Sequence, residues 1–500
     1  MKRYTEKIRA ALPGTRLELK EHTYAAVEGL RAICGIVDGE ERLIVDGCKA
    51  FRFTGETAGG RSGVKICPMN HENRLALNRE FSYTVPQAVG GEQASFGFGD
   101  RLGIAGESHL SAVEGTGVKP VLAQQSLREL TLTGRTYEEV LDAAAWAVFK
   151  KGYKDGYGAD GDHLKTREEV AAALDHGMSM ITLDCSLVLG AAPSGVEERR
   201  RRYEALPGEY REGLEGSYLP DSEAMGLGIC FDRELLEETA LIYGPAVELA
   251  EEVYRLIRKT GRRVDLEISL DETAHTTKPA EHYFVACELY KKQVRVTGVA
   301  PRFVGEFQKA VDYIGDPEAF RRDLKAHCRV ADYFGHKISL HSGSDKFRVF
   351  AALSEETGGR FHVKTSGTSW LEAVRVIAQT DPELYRRMHR TALEHFAEAR
   401  RYYEVHCDPE KIRPLEEMPD ERLPDYMDQE DARQLLHIAY GFMLREGDGL
   451  RERILEALGK QKGAYQAALE RHFAKHLDML GYGKRGSEDR TVPMEKKQSI

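Results

Sequence analysis

The chain has 500 residues, 71 Lys and Arg against 81 Asp and Glu, a formal net charge of −10, and 41% hydrophobic against 30% charged residues. That apolar content excludes disorder as the general state. The acidic balance disfavours a general polyanion binder, because the chain would repel phosphate backbones outside a local basic patch.

At ~150 residues per domain the length allows about three domains, or one barrel with additions. No run approaches the ~18 uninterrupted apolar residues of a membrane-spanning helix. The opening MKRYTEKIRAALPG is charged and lacks the apolar stretch of a secretory signal. Eight Cys (34, 48, 67, 185, 230, 287, 328, 407) are scattered with no CxxC pair. This argues against a disulfide framework or zinc ribbon and fits a reducing cytoplasm. A cytoplasmic enzyme is expected, with no nucleic-acid or membrane partner; oligomeric state is not legible.

Residues 1–90 carry short β-like runs punctuated by Gly (RLIVDG, KAFRFTG, EFSYTV) and read as an N-terminal β-rich cap. A larger unit then recurs: an apolar β-prone run, a polar or Gly-rich end, and a helical stretch. The eight runs are 94–98, 120–122, 153–159, 178–183, 264–268, 294–299, 337–340 and 360–363. Amphipathic stretches such as TYEEVLDAAAWAVFKKG (136–152) and GPAVELAEEVYRLIRKTG (244–261) separate most of them. Eight alternations within residues 91–371 predict an α/β fold of the (β/α)8 TIM-barrel type, favoured over a doubly wound open sheet. A charged helical insertion is expected at 191–230, a helical C-terminal extension at 372–483 and a loose tail at 484–500.

In such a barrel, chemistry belongs at the C-terminal ends of the strands. The polar residues there include Asp100, Arg101, Gln124, Gln125, Asp162, His163, Lys165, Asp184, Glu267, Arg302, Glu306, His341, Ser342, Lys364 and Ser366. Carboxylates and imidazoles dominate, which is the N/O ligand set of a divalent metal. In GADGDHLKT (158–166), His163 reads as a ligand and Asp162 or Lys165 as a proton handler; the competing reading is an Asx-rich turn that caps the next helix. Glu267 is a general acid/base or ligand, or else half of a buried ion pair. His341 is a ligand or a core histidine satisfied by a carbonyl, and Glu306 a third ligand or a surface residue. Asp271 and Glu272 read as loop carboxylates that cap or salt-bridge.

KTSGTSW (364–370) offers backbone N–H groups to an anion or simply caps a helix. Lys364 and Arg302 are candidate partners for a substrate carboxylate. GFGDRLG lacks the dinucleotide-binding spacing, and the basic runs RRRRY (199–203) and KTGRRV (259–264) read as solvated faces.

The stretches FGFGDRLGIA, LAQQSLREL, YGADGDHLK, LEISLDET, APRFVGEFQKAVDYIGD, ISLHSGSDKF and FHVKTSGTSWLEA, roughly residues 96 to 371, resemble the tagaturonate/fructuronate epimerase family, some of whose members are described as tagatose 4-epimerases. RQLLHIAYG (433–441) extends the likeness, and the reading IAGESHL after DRLG departs from it. The resemblance implies Asp162 as proton acceptor, Glu267 as proton donor, and His163, His341 and Glu306 as ligands of one divalent cation (Zn, Ni, Mn or Fe). It also implies inversion at C4 of a ketohexuronate or of the neutral ketose. A C2 ketone acidifies C3–H but not C4–H, so retro-aldol cleavage and re-closure is the expected route. A metal-dependent hydrolase on the same barrel and a non-catalytic sugar-binding protein remain alternatives.

Overall fold

The computed structural model describes the chain except residues 59–62, 220–225, 274, 446, 448 and 485–500. The expected tail thus lies outside the described residues apart from Lys484. Near the N-terminus, β1 (Leu17–Val27), β2 (Leu30–Val37), β3 (Glu40–Asp46), β4 (Glu56–Ala58) and β5 (Val64–Pro68) form an antiparallel sheet of order β1-β2-β3-β5-β4. RLIVDG supplies β3, but KAFRFTG and EFSYTV are not strands. They form 3-10 turns at Ala50–Arg52 and Ser82–Thr84, and bury Phe53 and Phe81 as single anchors. A few β-branched or aromatic residues in a short run do not distinguish a turn with one buried ring from a strand.

The eight following strands close into one parallel barrel: β6 (Ser95–Phe98), β7 (Lys119–Ser126), β8 (Gly158–Leu164), β9 (Met180–Asp184), β10 (Asp265–Ser269), β11 (Gly298–Ala300), β12 (Lys337–Leu340) and β13 (Phe361–Thr365), with β13 pairing β6. Each overlaps one of the eight runs read from the sequence, but β8 shares only residues 158 and 159 with the run 153–159 and takes in GADGDHL, read as the turn after the strand, and β11 begins only at Gly298 of the run 294–299. Helices lie between successive strands, as right-handed crossovers require. The helix before β8, Tyr137–Lys151, starts with a Thr136–Glu139 capping box and ends at the left-handed Gly152. The helix before β10 runs Arg233–Lys259 through Pro245, so the amphipathic stretch 244–261 is the later part of a longer helix. Helices Val196–Glu204 and Gly208–Tyr218 follow β9.

Strand side chains alternate with period two, so every second residue points into the barrel. Here the inward set is polar: Asp160, Thr182, Glu267 and Lys364 hydrogen-bond to one another across β8, β9, β10 and β13. Gly97 on β6 makes room for this interior, because a Cβ there would lie 1.5 Å from Gln124 Oε1. After β13 the chain is largely helical. The last described helix, Lys462–Met479, packs Phe473 against Phe96 and Phe98.

Candidate active site

Lys364 is the hub of the mouth. Its ammonium lies 2.7 Å from Asp160 Oδ2, 2.8 Å from Asp162 Oδ1 and 3.1 Å from Glu267 Oε1, and it donates to Thr182 Oγ1. A buried lysine surrounded by carboxylates keeps its charge, and its pKa is held well above the usual value although burial opposes this. Burial pushes both aspartates up, yet they part: Lys364 and His163 bring Asp162 down to about 2, while Asp160 rises to about 6 beside Asp162 and Glu267. Burial likewise opposes ionisation of Glu267, but Lys364 and His341 hold its pKa well below the usual range.

His341 follows β12 and lies between two carboxylates, with Nε2 2.7 Å from Glu267 Oε1 and Nδ1 3.1 Å from Asp271 Oδ2. Burial lowers its pKa, but the flanking carboxylates, Asp271 foremost, raise it to about 10. The His163 ring stands 4.9 Å from that of His341 and faces Asp184 at 3.6 Å. A bulge sets it there: the β8–β9 register shifts between Gly161 and Leu164, and His163 has φ +52. Left-handed backbone at a non-glycine residue is a strained conformation, and bulges beside active sites re-aim side chains in this way.

A cavity of about 460 Å³ opens above these groups. It is lined by Asp162, His163, His341, Ser342, Lys364, Ser366, Arg302, Gln124 and Glu306 among the residues singled out from the sequence. Glu267 lies fully buried beneath His341, and Asp184 sits behind His163 with Lys165 3.2 Å away.

The remaining expected residues stand apart. Glu306, read as a third metal ligand, shares the cavity wall but is half-exposed; it accepts from Gln308 Nε2 at 2.6 Å and faces His406 at 3.4 Å. It has no ion pair with His163 or His341 among the described residues. Asp100, Arg101 and Gln125, read as substrate-binding, do not line the cavity. Asp100 accepts from the Gly103 and Ala105 N–H groups, and Gln125 donates to the Asp100 carbonyl. Arg101 is buried with its guanidinium 2.7 Å from Glu129 and 3.5 Å above the Tyr440 ring, and it donates to the His437 carbonyl. These are the bonds of a buried structural clamp. Arg101→Ala is expected to cost about 3–5 kcal/mol by leaving Glu129 buried without its partner. A fall in the urea midpoint measures it, and an unchanged midpoint contradicts the clamp.

Three features were missed. Asp271, read as a loop carboxylate, belongs to the imidazole cluster. Lys309, within APRFVGEFQK, lines the cavity; its ammonium donates to Ser342 Oγ at 2.7 Å and has no carboxylate partner among the described residues. Tyr402, Tyr403 and His406 reach the cavity from the C-terminal part. No strand or helix period marks them.

Outside the mouth, Asp345, His472 and His476 come close enough together to suggest a cation site. A guanidinium already occupies its carboxylate, because Arg433 lies 2.5 Å from Asp345 Oδ2. His476 Nε2 accepts from the Asp345 N–H at 3.0 Å while Nδ1 faces the His472 carbonyl at 3.0 Å. Arg433 neutralises Asp345, and His472 bridges Asp345 and Glu372. The group docks the last helix onto the loop after β12.

The donors at the mouth suit a divalent cation. Asp162, Asp184, Glu267 and Asp271 surround the two imidazoles, and the buried His163 Nδ1 and Glu267 Oε2 have no hydrogen-bond partner. Buried orphan donors and acceptors call for an explanation such as a bound ion.

The chain matches a family model described as tagaturonate epimerase over residues 35–480. It is 38% identical over 474 residues to the tagaturonate/fructuronate epimerase of Thermotoga maritima, covering 93% of this chain and 98% of that protein. The crystal structure of a glycerol-complexed fructuronate-tagaturonate epimerase from Cohnella laeviribosi superimposes with a TM-score of 0.89 at 48% identity, over 96% of this chain and 99% of that one. A second glycerol complex of that enzyme has the same TM-score at 47% identity, over 96% of this chain and 100% of that one.

Proposed function

Because this chain belongs to the tagaturonate epimerase family, we propose that the barrel-mouth cavity binds a ketohexuronate and inverts C4, interconverting D-tagaturonate and D-fructuronate. The observation that carries this reading is the convergence of Asp162, Lys364, His163 and His341 at one cavity whose lining also holds Lys309, which has no carboxylate partner among the described residues.

The C2 ketone leaves C4–H without resonance acidification, so direct proton removal at C4 meets an unstabilised carbanion. Retro-aldol cleavage avoids it. Asp162 takes the O4 proton, the C3–C4 electron pair moves to C3 and delocalises onto the C2 oxygen, and C4 becomes an aldehyde. The aldehyde fragment turns, C3 attacks its other face, and O4 recovers a proton. The proton that O4 recovers is the one Asp162 took; Lys364 bonds both Asp162 and Glu267, so the buried Glu267 acts by holding Lys364 against Asp162 and not by touching substrate.

We assign His163, His341 and Asp271 as the holders of one divalent cation (Zn, Ni, Mn or Fe), in place of Glu306. Glu267, bonded to the other His341 nitrogen, fixes the imidazole as carboxylates do behind metal-ligating histidines. Such a cation supplies Lewis acidity toward the substrate carbonyl.

Lys309 grips the substrate carboxylate, with Arg302 in the lining of the same cavity. A charge-assisted hydrogen bond contributes about 1.5–3 kcal/mol. Lys309→Met is therefore expected to raise KM for tagaturonate about 10–100-fold while leaving KM for neutral tagatose within about twofold. The test incubates metal-loaded wild type and variant with tagaturonate, fructuronate, tagatose and fructose and follows the products by chromatography and mass. A C4 epimer of unchanged mass supports the reading; a product heavier by water means hydrolysis, and binding without turnover means a sugar-binding protein.

A further inference from the structure

Opposite the catalytic mouth, the N-terminal ends of the barrel strands frame a second cavity of about 850 Å³. It lies between the start of β10 at Asp265, residues 90–92 before β6, and His336 before β12. The last turns of helices Arg233–Lys259 and Pro279–Lys291 form its outer wall.

The charges here do not follow those of the chain. In a protein with net charge −10, Arg258, Arg262, Arg263 and Arg295 all line this one cavity. Arg262 is engaged with the Leu174 and Met178 carbonyls. Arg258, Arg263 and Arg295 form no ion pair among the described residues. Of the acids on the wall, Asp265 is occupied by the Val89 and Gly90 N–H groups and the Thr297 hydroxyl, which leaves Glu92. His336 adds no charge, since burial pushes its pKa down to about 3.

The backbone accommodates a guanidinium as well. Gly90 has φ +77, and a Cβ there would lie 3.2 Å from Arg263 Nη2. Arg258, Arg263 and Arg295 are exposed, and the barrel closes by strand pairing without them. Tyr254 and Tyr290 add aromatic faces, and the space exceeds that of a bare inorganic ion.

We infer that this cavity is a second ligand site, which binds a phosphate monoester of a ring-bearing small molecule. The dianionic phosphate is held by Arg258, Arg263 and Arg295, whose planar forks match its oxygens, and the ring lies against Tyr254 and Tyr290. The ester is that of a sugar or of a nucleoside, and the two are told apart by direct titration.

The experiment is calorimetric titration of the full-length protein with inorganic phosphate, glucose 6-phosphate and AMP. One of the two esters is expected to bind saturably, with a Kd below about 1 mM and more tightly than inorganic phosphate. The exposed Arg263→Ala/Arg295→Ala pair should weaken it at least about tenfold with an unchanged melting curve, and Arg258→Ala should weaken it in the same direction. Lys309→Met, in the opposite mouth, should leave it intact. Absence of saturable binding for all three probes overturns the proposal. So does binding that survives the arginine substitutions, or that disappears with Lys309→Met, since the anion then sits in the catalytic cavity.

Discussion

His341→Ala is expected to lower kcat/KM by about 10²–10⁴-fold and to release the bound divalent cation on dialysis, with the barrel still folded. The imidazole joins Glu267 on one side to Asp271 on the other, and its ring faces His163. Truncation removes a ligand and separates Asp271 from the buried network. Glu267 retains Lys364 at 3.1 Å, so its charge is not stranded and the fold survives. His163→Ala should act in the same way, because the β8 bulge presents that ring to the same centre. Glu306→Ala should keep the metal, since that carboxylate is engaged with Gln308 and His406. Metal content per chain, far-ultraviolet circular dichroism and steady-state rates together decide the matter. Full activity of both histidine variants after treatment with a chelator removes the metal assignment, and loss of metal from Glu306→Ala restores the third ligand expected from the sequence.

The barrel was legible because its signal is repetitive. Eight apolar runs, each followed by polar residues and a helical stretch, define strand, loop and helix without long-range information, and all eight became barrel strands. The N-terminal sheet was less so: KAFRFTG and EFSYTV have the composition of strands but fold as turns around Phe53 and Phe81. Strand-end position also brought Asp162, His163, His341 and Lys364 to one cavity. It could not say which way a strand-end side chain points. Arg101 lies three residues after β6, as His341 lies just after β12, yet it turns outward to Glu129 of the helix after β7 and to Tyr440 of the C-terminal part. Lys364 read as a free cation for substrate; three carboxylates from β8 and β10 claim it, while Lys309 lines the cavity with no carboxylate partner among the described residues. Asp271 was discounted as a loop carboxylate because its partner, His341, is 70 residues away. Each of these depends on pairing between distant elements, which no local spacing encodes.

Asp162→Asn is expected to lower kcat by about 10²–10⁴-fold with little change in KM. The amide has nearly the shape of the carboxylate but cannot take the O4 proton. Lys364 keeps Asp160, Glu267 and Thr182 as partners, so the variant should fold. The same residue bears on the order of bond breaking. If Asp162 removes the hydroxyl proton and C3–C4 opens, C4–H is never broken, and epimer formed by wild type in heavy water carries no deuterium at C4. If a base removes C4–H instead, solvent deuterium enters there with every turnover. Nuclear magnetic resonance of the product separates the two cases at a single position. Lys364, 2.8 Å from Asp162, keeps that carboxylate ionised and able to accept a hydrogen bond from O4–H, along which a proton moves between oxygens; an unactivated C–H offers no such path. Deuterium at C4 would therefore refute the cleavage route and, with it, the role given to Asp162.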